Sequence, residues 1–134
     1  MGIKESGQVS LEYLVLIGIV LIFIAIASTF AFIAYYDSIY SYQMRSAALT
    51  LKEAANNAYA LGPDNNLFVD IMLPPDITSA RAAGNEIIFV RNVAGGSSES
   101  AIIVDANVSG NLPTTSGFNR IKVSVVDGNV VFSQ

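Results

Sequence analysis

A long uncharged segment near the start of the chain constrains the fold more than any other feature. From Tyr13 to Tyr36 there is no charged residue, and only Ser28 and Thr29 interrupt the aliphatic and aromatic side chains. A bilayer core about 30 Å thick needs roughly 20 such residues in a helix. A helix that is apolar on all sides lies in lipid or at the centre of an assembly. Because the rest of the chain is too small to surround it, residues 8–36 are predicted to form a membrane-spanning or fibre-core helix.

The helix is predicted to continue beyond the apolar segment. Apolar residues recur there at steps of three and four, which is the pattern of a single helix face. The members of this face are Tyr40, Met44, Ala47, Ala48, Leu51, Ala55, Ala58 and Leu61. Gly62 and Pro63 then provide a helix stop. We therefore predict one helix from about Gln8 to Leu61, with an amphipathic continuation in residues 37–62.

The C-terminal half predicts a small antiparallel β domain over residues 67–134. Short runs of β-branched and aromatic residues alternate there with turn residues. The predicted strands are 67–73, 86–93, 101–104, 121–126 and 130–132. Asp127-Gly128 predicts a tight hairpin, because these residues accept the positive φ angles of such a turn. The fold class is thus α+β, and the sheet is expected to pack on the alanine-rich half of the helix, since about 70 residues without a disulfide would be marginal alone.

The composition excludes most catalytic chemistry. The chain contains no His and no Cys, so imidazole acid–base catalysis, thiolate nucleophiles and disulfides are absent. A net charge of −4 argues against nucleic-acid binding, which needs clustered Lys and Arg. We therefore expect no enzyme, no cofactor, no metal site and no nucleic-acid partner.

The aspartates of the C-terminal half are the remaining candidates for hydrolysis, but their places predict turns. They are Asp70, Asp76, Asp105 and Asp127. All four lie beside prolines or at ends of predicted strands, where Asp commonly starts a turn. Residues 64–66 with Asp70 offer oxygen ligands, but their spacing matches no dedicated calcium loop. The Gly-Gly-Ser-Ser run at residues 95–98 lacks the Lys of a phosphate loop and is expected to be a flexible turn.

One modification motif occurs in the C-terminal half. Asn107-Val108-Ser109 fits the acceptor pattern for N-glycosylation. The pattern has weight only if this half of the chain is exported. Asn107 is therefore a candidate glycosylation site that depends on topology.

The residues before the apolar segment form a motif. They read Gly7-Gln8-Val9-Ser10-Leu11-Glu12-Tyr13-Leu14. An interfacial Glu is tolerated at a membrane edge and is favoured by the helix dipole in a first turn, which would explain Glu12 without any further role. The eight residues, their place near residue 1 and the helix behind them nevertheless resemble the class III signal peptide of archaeal type IV pilin-like proteins, whose short charged leader ends in Gly and is followed by Gln-x-Ser-x-Glu-Tyr-Leu.

This resemblance implies a structural subunit of a surface filament, with a role in adhesion or surface attachment. A prepilin peptidase would cut between Gly7 and Gln8, removing the leader, residues 1–7. The precursor would lie in the cell membrane, with Lys4 cytoplasmic and the β domain outside. A pilus assembly ATPase and its platform protein would then transfer it into a homopolymer, where the Glu12 carboxylate pairs with the new Gln8 amine of an adjacent subunit.

Two interpretations stay open at this point. The alternative function is a single-pass membrane protein whose extracellular β domain is a binding module and never polymerises, which requires no cleavage at Gly7. The tyrosines that follow the apolar segment fit either an aromatic belt at the membrane surface or stacking inside a fibre. They are Tyr35, Tyr36, Tyr40 and Tyr42.

Overall fold

The computed structural model describes residues 2–134, with side chains from Ser6 onward. One helix, α1, spans Gly2–Leu61, so the prediction that it begins near Gln8 is wrong at that end. The physical reason is that residues 2–7 contain no proline, and each of their two glycines costs a helix at most about 1 kcal/mol relative to alanine. The Lys4 side chain lies outside the described part. The chain divides into two compact units, Met1–Tyr36 and Asp37–Gln134.

The C-terminal end of α1 has the predicted glycine stop. Gly62 takes a positive φ of 82°, and its amide donates to the Ala58 carbonyl at 3.1 Å. The Asn65 side-chain amide donates to the Leu61 carbonyl at 3.0 Å. Together these bonds satisfy carbonyls that the last helical turn would otherwise leave unpaired.

The described residues after the helix form seven strands in two sheets. The strands are β1 Asn66–Leu73, β2 Ile77–Ala83, β3 Glu86–Val93, β4 Gly96–Ile103, β5 Val108–Gly110, β6 Gly117–Val126 and β7 Asn129–Ser133. One sheet has the order β1-β6-β7-β5 and the other β2-β3-β4. All pairs are antiparallel except β5 with β7. The predicted α+β fold is confirmed, although the β domain has two sheets and one parallel pair instead of a single antiparallel sheet.

Two strands and one turn differ from the sequence-based prediction. β2 and β5 were not predicted, because three of the seven residues of β2 are Ala, which has little strand preference, and β5 has three residues. Gly96 to Ser98, predicted as a flexible turn, instead begin β4. The reversal needs only the two residues before them: Gly95 takes a φ of 91°, and Val93 already pairs with Gly96.

The predicted hairpin at Asp127-Gly128 is confirmed. It joins β6 to β7, and Val126 pairs with Asn129 across it. Asp127 and Gly128 have φ angles of 51° and 79°. Two successive positive φ angles characterise the tight turn whose twist matches that of the flanking strands.

The amphipathic half of α1 forms one side of the core of the unit Asp37–Gln134. Its buried residues are Met44, Ala47, Ala48, Leu51, Ala54, Ala55 and Ala58. They pack in one cluster with inward-facing residues of both sheets, among them Ile71, Phe89 and Phe132. Alanine at most of these positions lets the strands approach the helix closely. The expected packing of the β domain on this half of the helix is therefore confirmed.

The helix is flanked by the two outermost strands of the β domain. The sheets meet through an isolated bridge between Arg81 of β2 and Asn111. On one side, Thr50 of the helix lines a groove together with Ile71 of β1. On the other side, Arg45 lines a groove together with Glu99 of β4. The outer faces of β1 and β4 consequently remain available on either side of the helix.

Candidate functional site

The apolar segment of α1 is exposed in the described part of the chain. Its large apolar and aromatic side chains from Val9 to Tyr36 are between 45% exposed, at Ile33, and 71% exposed, at Phe23. The helix is long and apolar enough to cross a membrane. Burying one such side chain is worth about 1.5–3 kcal/mol, so a surface of this size in water is strongly unfavourable. The segment is therefore a contact surface for lipid or for protein.

Glu12 lies at the N-terminal edge of this surface. Its side chain is exposed on the helix beside Leu11, Val15 and Leu16. Among the described side chains, Glu12 takes part in neither of the two ion pairs. Gln8 precedes it by one helical turn, so the two positions share a face of the helix. The predicted assembly residues thus lie together at the edge of an apolar surface.

Gly7 and Gly18 of the unit Met1–Tyr36 are not required by packing against any of the described residues. Gly7 and Gly18 both have helical backbone, and a Cβ added to either would meet nothing within 4 Å. Glycine in a helix costs about 1 kcal/mol relative to alanine. An advantage that offsets this cost has to come from something that contacts the helix. For Gly7, cleavage by a peptidase stays a prediction.

Asn107 lies on the surface of the β domain. Its side chain is exposed, whereas the next residue, Val108, is buried. The Asn107 carbonyl accepts a hydrogen bond from the Val130 amide at 2.9 Å, which fixes the backbone and leaves the side chain accessible. Glycosylation at this position stays a prediction.

Most of the aspartates and their neighbours have structural roles. Asp64, Asp76 and Asp127 all adopt positive φ angles, which Asp tolerates better than most residues. Asp105 follows β4 and accepts a hydrogen bond from the Asn56 side chain at 3.4 Å. These positions agree with the interpretation of the aspartates as turn residues.

Asp70 is the exception, because it lies in the middle of β1. It pairs with Arg120 of β6 across the sheet, and the guanidinium donates to both carboxylate oxygens at 3.0 and 3.2 Å. The prediction that Asp70, which precedes Pro74-Pro75, is a turn residue is therefore wrong. Hydrogen bonds from Arg120 lower the pKa of the Asp70 carboxyl.

Sequence reasoning missed Arg91, a buried cation in the core of the β domain. Arg91 is 3% exposed, and its Nη2 donates to Oδ1 of Asp37 at 2.8 Å. Its guanidinium carbon lies 5.0 Å from the centre of the Tyr40 ring. The signal in the sequence was its register: Arg91 follows Ile87 and Phe89 at two-residue steps, on the strand face that turns inward.

Comparison with known proteins found no match for this chain. No family model matches the chain, and no match was found among curated proteins or solved structures. The structure defines a protein with an N-terminal helix that can cross a membrane and a C-terminal β domain built on the amphipathic half of the same helix.

Proposed function

We propose that this chain is a structural subunit of an archaeal type IV pilus-like surface filament. The precursor is inserted in the cell membrane, a prepilin peptidase cuts it after Gly7, and the mature subunit polymerises through its N-terminal helix outside the cell. The observation that carries the proposal is an apolar helix surface, exposed from Val9 to Tyr36, whose beginning overlaps the Gly7-to-Leu14 motif. The implied role of the filament is adhesion or surface attachment.

The physical basis of assembly is an exchange of one apolar environment for another. Lipid around the helix is replaced by the same surface of neighbouring subunits, so little apolar area becomes exposed to water. Small residues at Gly18, Ala27, Ala31 and Ala34 permit close approach between helices. The open space around Gly18 supports this use, since the fold of a single chain does not require a glycine there.

Glu12 is proposed to select the correct neighbour in the filament. Inside a bundle of apolar helices an unpaired carboxylate would cost several kcal/mol. Cleavage after Gly7 creates a new cation, the amine of Gln8, on the same helix face. Two parallel helices shifted along their axes bring the amine of one subunit to the Glu12 carboxylate of the next.

Cleavage is tested by the intact mass of the protein recovered from its host. We expect a mature chain that has lost residues 1–7 and retains the helix. Gly7→Leu should leave the leader attached, while Gly18→Leu, which places the same side chain elsewhere in the helix, should be cut normally. Recovery of an uncut, monomeric membrane protein would support the alternative, a membrane-anchored extracellular β domain that binds a partner without polymerising.

Assembly is tested by electron microscopy of cells that carry Glu12→Ala. We expect a cleaved subunit that forms few or no filaments. Glu53→Ala is the matched control, because Glu53 is exposed on the amphipathic half of the helix. Normal filaments from Glu12→Ala would remove the proposed pairing with the Gln8 amine.

A further inference from the structure

Three exposed side chains form a patch on the unit Asp37–Gln134. Phe118 is 80% exposed and pairs across the sheet with Met72, which is 47% exposed. Tyr42 of the helix is 74% exposed and lines the same groove as these two residues. We call Tyr42, Met72 and Phe118 the aromatic patch. Exposed apolar side chains that are grouped on a domain surface commonly mark a contact site.

The loop that carries Phe118 is held in place by the domain itself. The Asn119 side-chain amide donates to the carbonyls of Thr115 and Gly117, at 2.8 and 3.2 Å. Gly117, directly before Phe118, takes a positive φ of 95°. These contacts keep the aromatic ring at the surface, so little further ordering is needed when a partner covers it.

The aromatic patch lies at the end of the unit where the helix enters it. Asp37, the first residue of the unit, accepts the 2.8 Å hydrogen bond from Arg91. The amide of the next residue, Asn92, donates to the Asp76 carbonyl at 3.0 Å. Asp76 in turn follows Met72 of the patch by four residues, across the turn at the end of β1.

The connections between strands differ in charge at the two ends of this unit. At the end that bears the patch they contain one charged residue, Asp76; these connections are residues 74–76, 94–95 and 112–116. The connections at the opposite end, with the first residue of β3, contain four carboxylates and no Lys or Arg. The four are Asp64, Glu86, Asp105 and Asp127.

The aromatic patch is close to the apolar segment along α1. Tyr42 follows Tyr36, the last residue of that segment, by six residues, or about 9 Å of helix. The headgroups add about 5–8 Å on each side of a hydrocarbon core of about 30 Å. Residues 13–36 form about 36 Å of helix, and tilting takes up the excess over that core. Tyr42 is therefore within reach of the headgroups of a bilayer that the helix spans.

We propose that the aromatic patch rests on the lipid surface of the membrane that α1 spans. The inference rests on the membrane-inserted precursor of the proposed function, to which it adds a second membrane contact. Tyr is favoured at the headgroup level, and Phe and Met gain free energy when their apolar area is buried there. A single carboxylate such as Asp76 is tolerated at that depth. The four carboxylates of the opposite end stay in water, away from anionic headgroups.

Tryptophan fluorescence tests the contact, because the chain contains no Trp and each variant then has one fluorophore. Three variants of the full chain, Phe118→Trp, Val126→Trp and Phe23→Trp, are inserted in phosphatidylcholine vesicles with or without bromine on the acyl chains. Val126 is the matched control, since it is 52% exposed and ends the same strand, β6, about 27 Å from Phe118. Phe23, within the apolar segment, reports insertion of the helix.

The brominated lipid should quench Phe118→Trp and Phe23→Trp and leave Val126→Trp unquenched. Phe118→Trp should also emit at a shorter wavelength than Val126→Trp. Equal quenching of Phe118→Trp and Val126→Trp, or quenching of Phe23→Trp alone, would overturn the lipid contact and leave insertion of the helix intact. Emission of Phe118→Trp at short wavelength without quenching would mean that a second copy covers the patch, which also overturns the contact with lipid.

The same experiment distinguishes this inference from the proposed function. Absence of quenching in Phe23→Trp would overturn membrane insertion, and with it both the proposed function and the lipid contact. Quenching of Phe118→Trp in a chain that forms no filaments in its host would refute the proposed function and leave the lipid contact intact.

Discussion

The two halves of helix α1 differ in the burial of their apolar side chains and in the ion pairing of their carboxylates. In the amphipathic half, Leu51 is fully buried against the β domain, and Asp37 has a cation, Arg91, within its own chain. In the apolar half, Leu21 is 59% exposed, and Glu12 takes part in neither ion pair of the described residues. One half of the helix packs against the β domain, and the other half is exposed among the described residues.

This contrast separates residues that serve stability from residues that serve assembly. A substitution in the amphipathic half removes a contact seen in the monomer, so it changes the free energy of unfolding. A substitution in the apolar half removes nothing that the monomer uses, so its effect is expected only where copies or lipid cover the helix. The same type of substitution in the two halves is therefore an experimental test of the comparison.

The largest effect is expected from Leu51→Ala. It removes a fully buried side chain and leaves a cavity, so the free energy of unfolding of the β domain should fall by about 2–5 kcal/mol. Leu21→Ala, the same substitution in the apolar half, should leave that transition unchanged. The measurement is urea unfolding of the full chain in detergent micelles, in which the protease resistance of the β domain reports the folded fraction.

A control on the same half of the helix sharpens this result. Leu49 is 42% exposed, so Leu49→Ala should change the free energy of unfolding by less than about 0.5 kcal/mol. An equal loss of stability from Leu21→Ala and Leu51→Ala would contradict the division of the helix into two halves.

The next effect compares Asp37 and Glu12, one acidic residue from each half of the helix. Asp37→Asn leaves the buried Arg91 guanidinium without its counterion and should lower the free energy of unfolding by about 1–3 kcal/mol. The loss stays below that of a fully buried ion pair, because the Asp37 side chain is 39% exposed. Glu12→Gln should leave the same urea transition of the β domain where it is.

Removing the cation as well should reduce the loss. In Arg91→Met an apolar side chain of similar length replaces the buried charge, so Asp37→Asn combined with Arg91→Met should cost less than Asp37→Asn alone. A shift of the β-domain transition by Glu12→Gln as large as that by Asp37→Asn would break the comparison between the two carboxylates.

The sequence predicted those parts of the fold that depend on local patterns. Three such patterns appear in the structure: the apolar run, the three- and four-residue steps up to Leu61, and the Asp127-Gly128 turn. Each of them depends only on residues that are close together in the sequence. β2 was not predicted because its alanines and serine owe their strand conformation to pairing with β3. The start of the helix was misplaced because a processing motif was also used as a structural boundary.

The residues of the candidate site also divide into those that a local sequence pattern predicts and those that only the tertiary fold brings together. Gly7, Gln8 and Glu12 could be selected from the sequence because their motif is contiguous. Arg91 could not be paired with Asp37 in advance, since 54 residues separate them along the chain, and only the tertiary fold brings them to 2.8 Å. The same applies to Asp70, whose partner Arg120 is 50 residues away.

The smallest effect concerns Asp70, the carboxylate whose ion pair is on the surface. Hydrogen bonds from Arg120 hold the pKa of Asp70 below its ordinary value of 3.8 in the folded chain. The stabilisation from this pair is complete above the ordinary pKa and is lost as the pH falls through the lowered pKa. In Arg120→Gln the Asp70 pKa should return toward 3.8, while Arg81→Gln, on β2, should leave it lowered. An NMR titration of the aspartate carboxyl carbons in detergent-solubilised full chain measures both values. An unchanged Asp70 pKa in Arg120→Gln would mean that water screens this pair completely. Of the two ion pairs of the described residues, the Arg91–Asp37 pair alone would then stabilise the β domain.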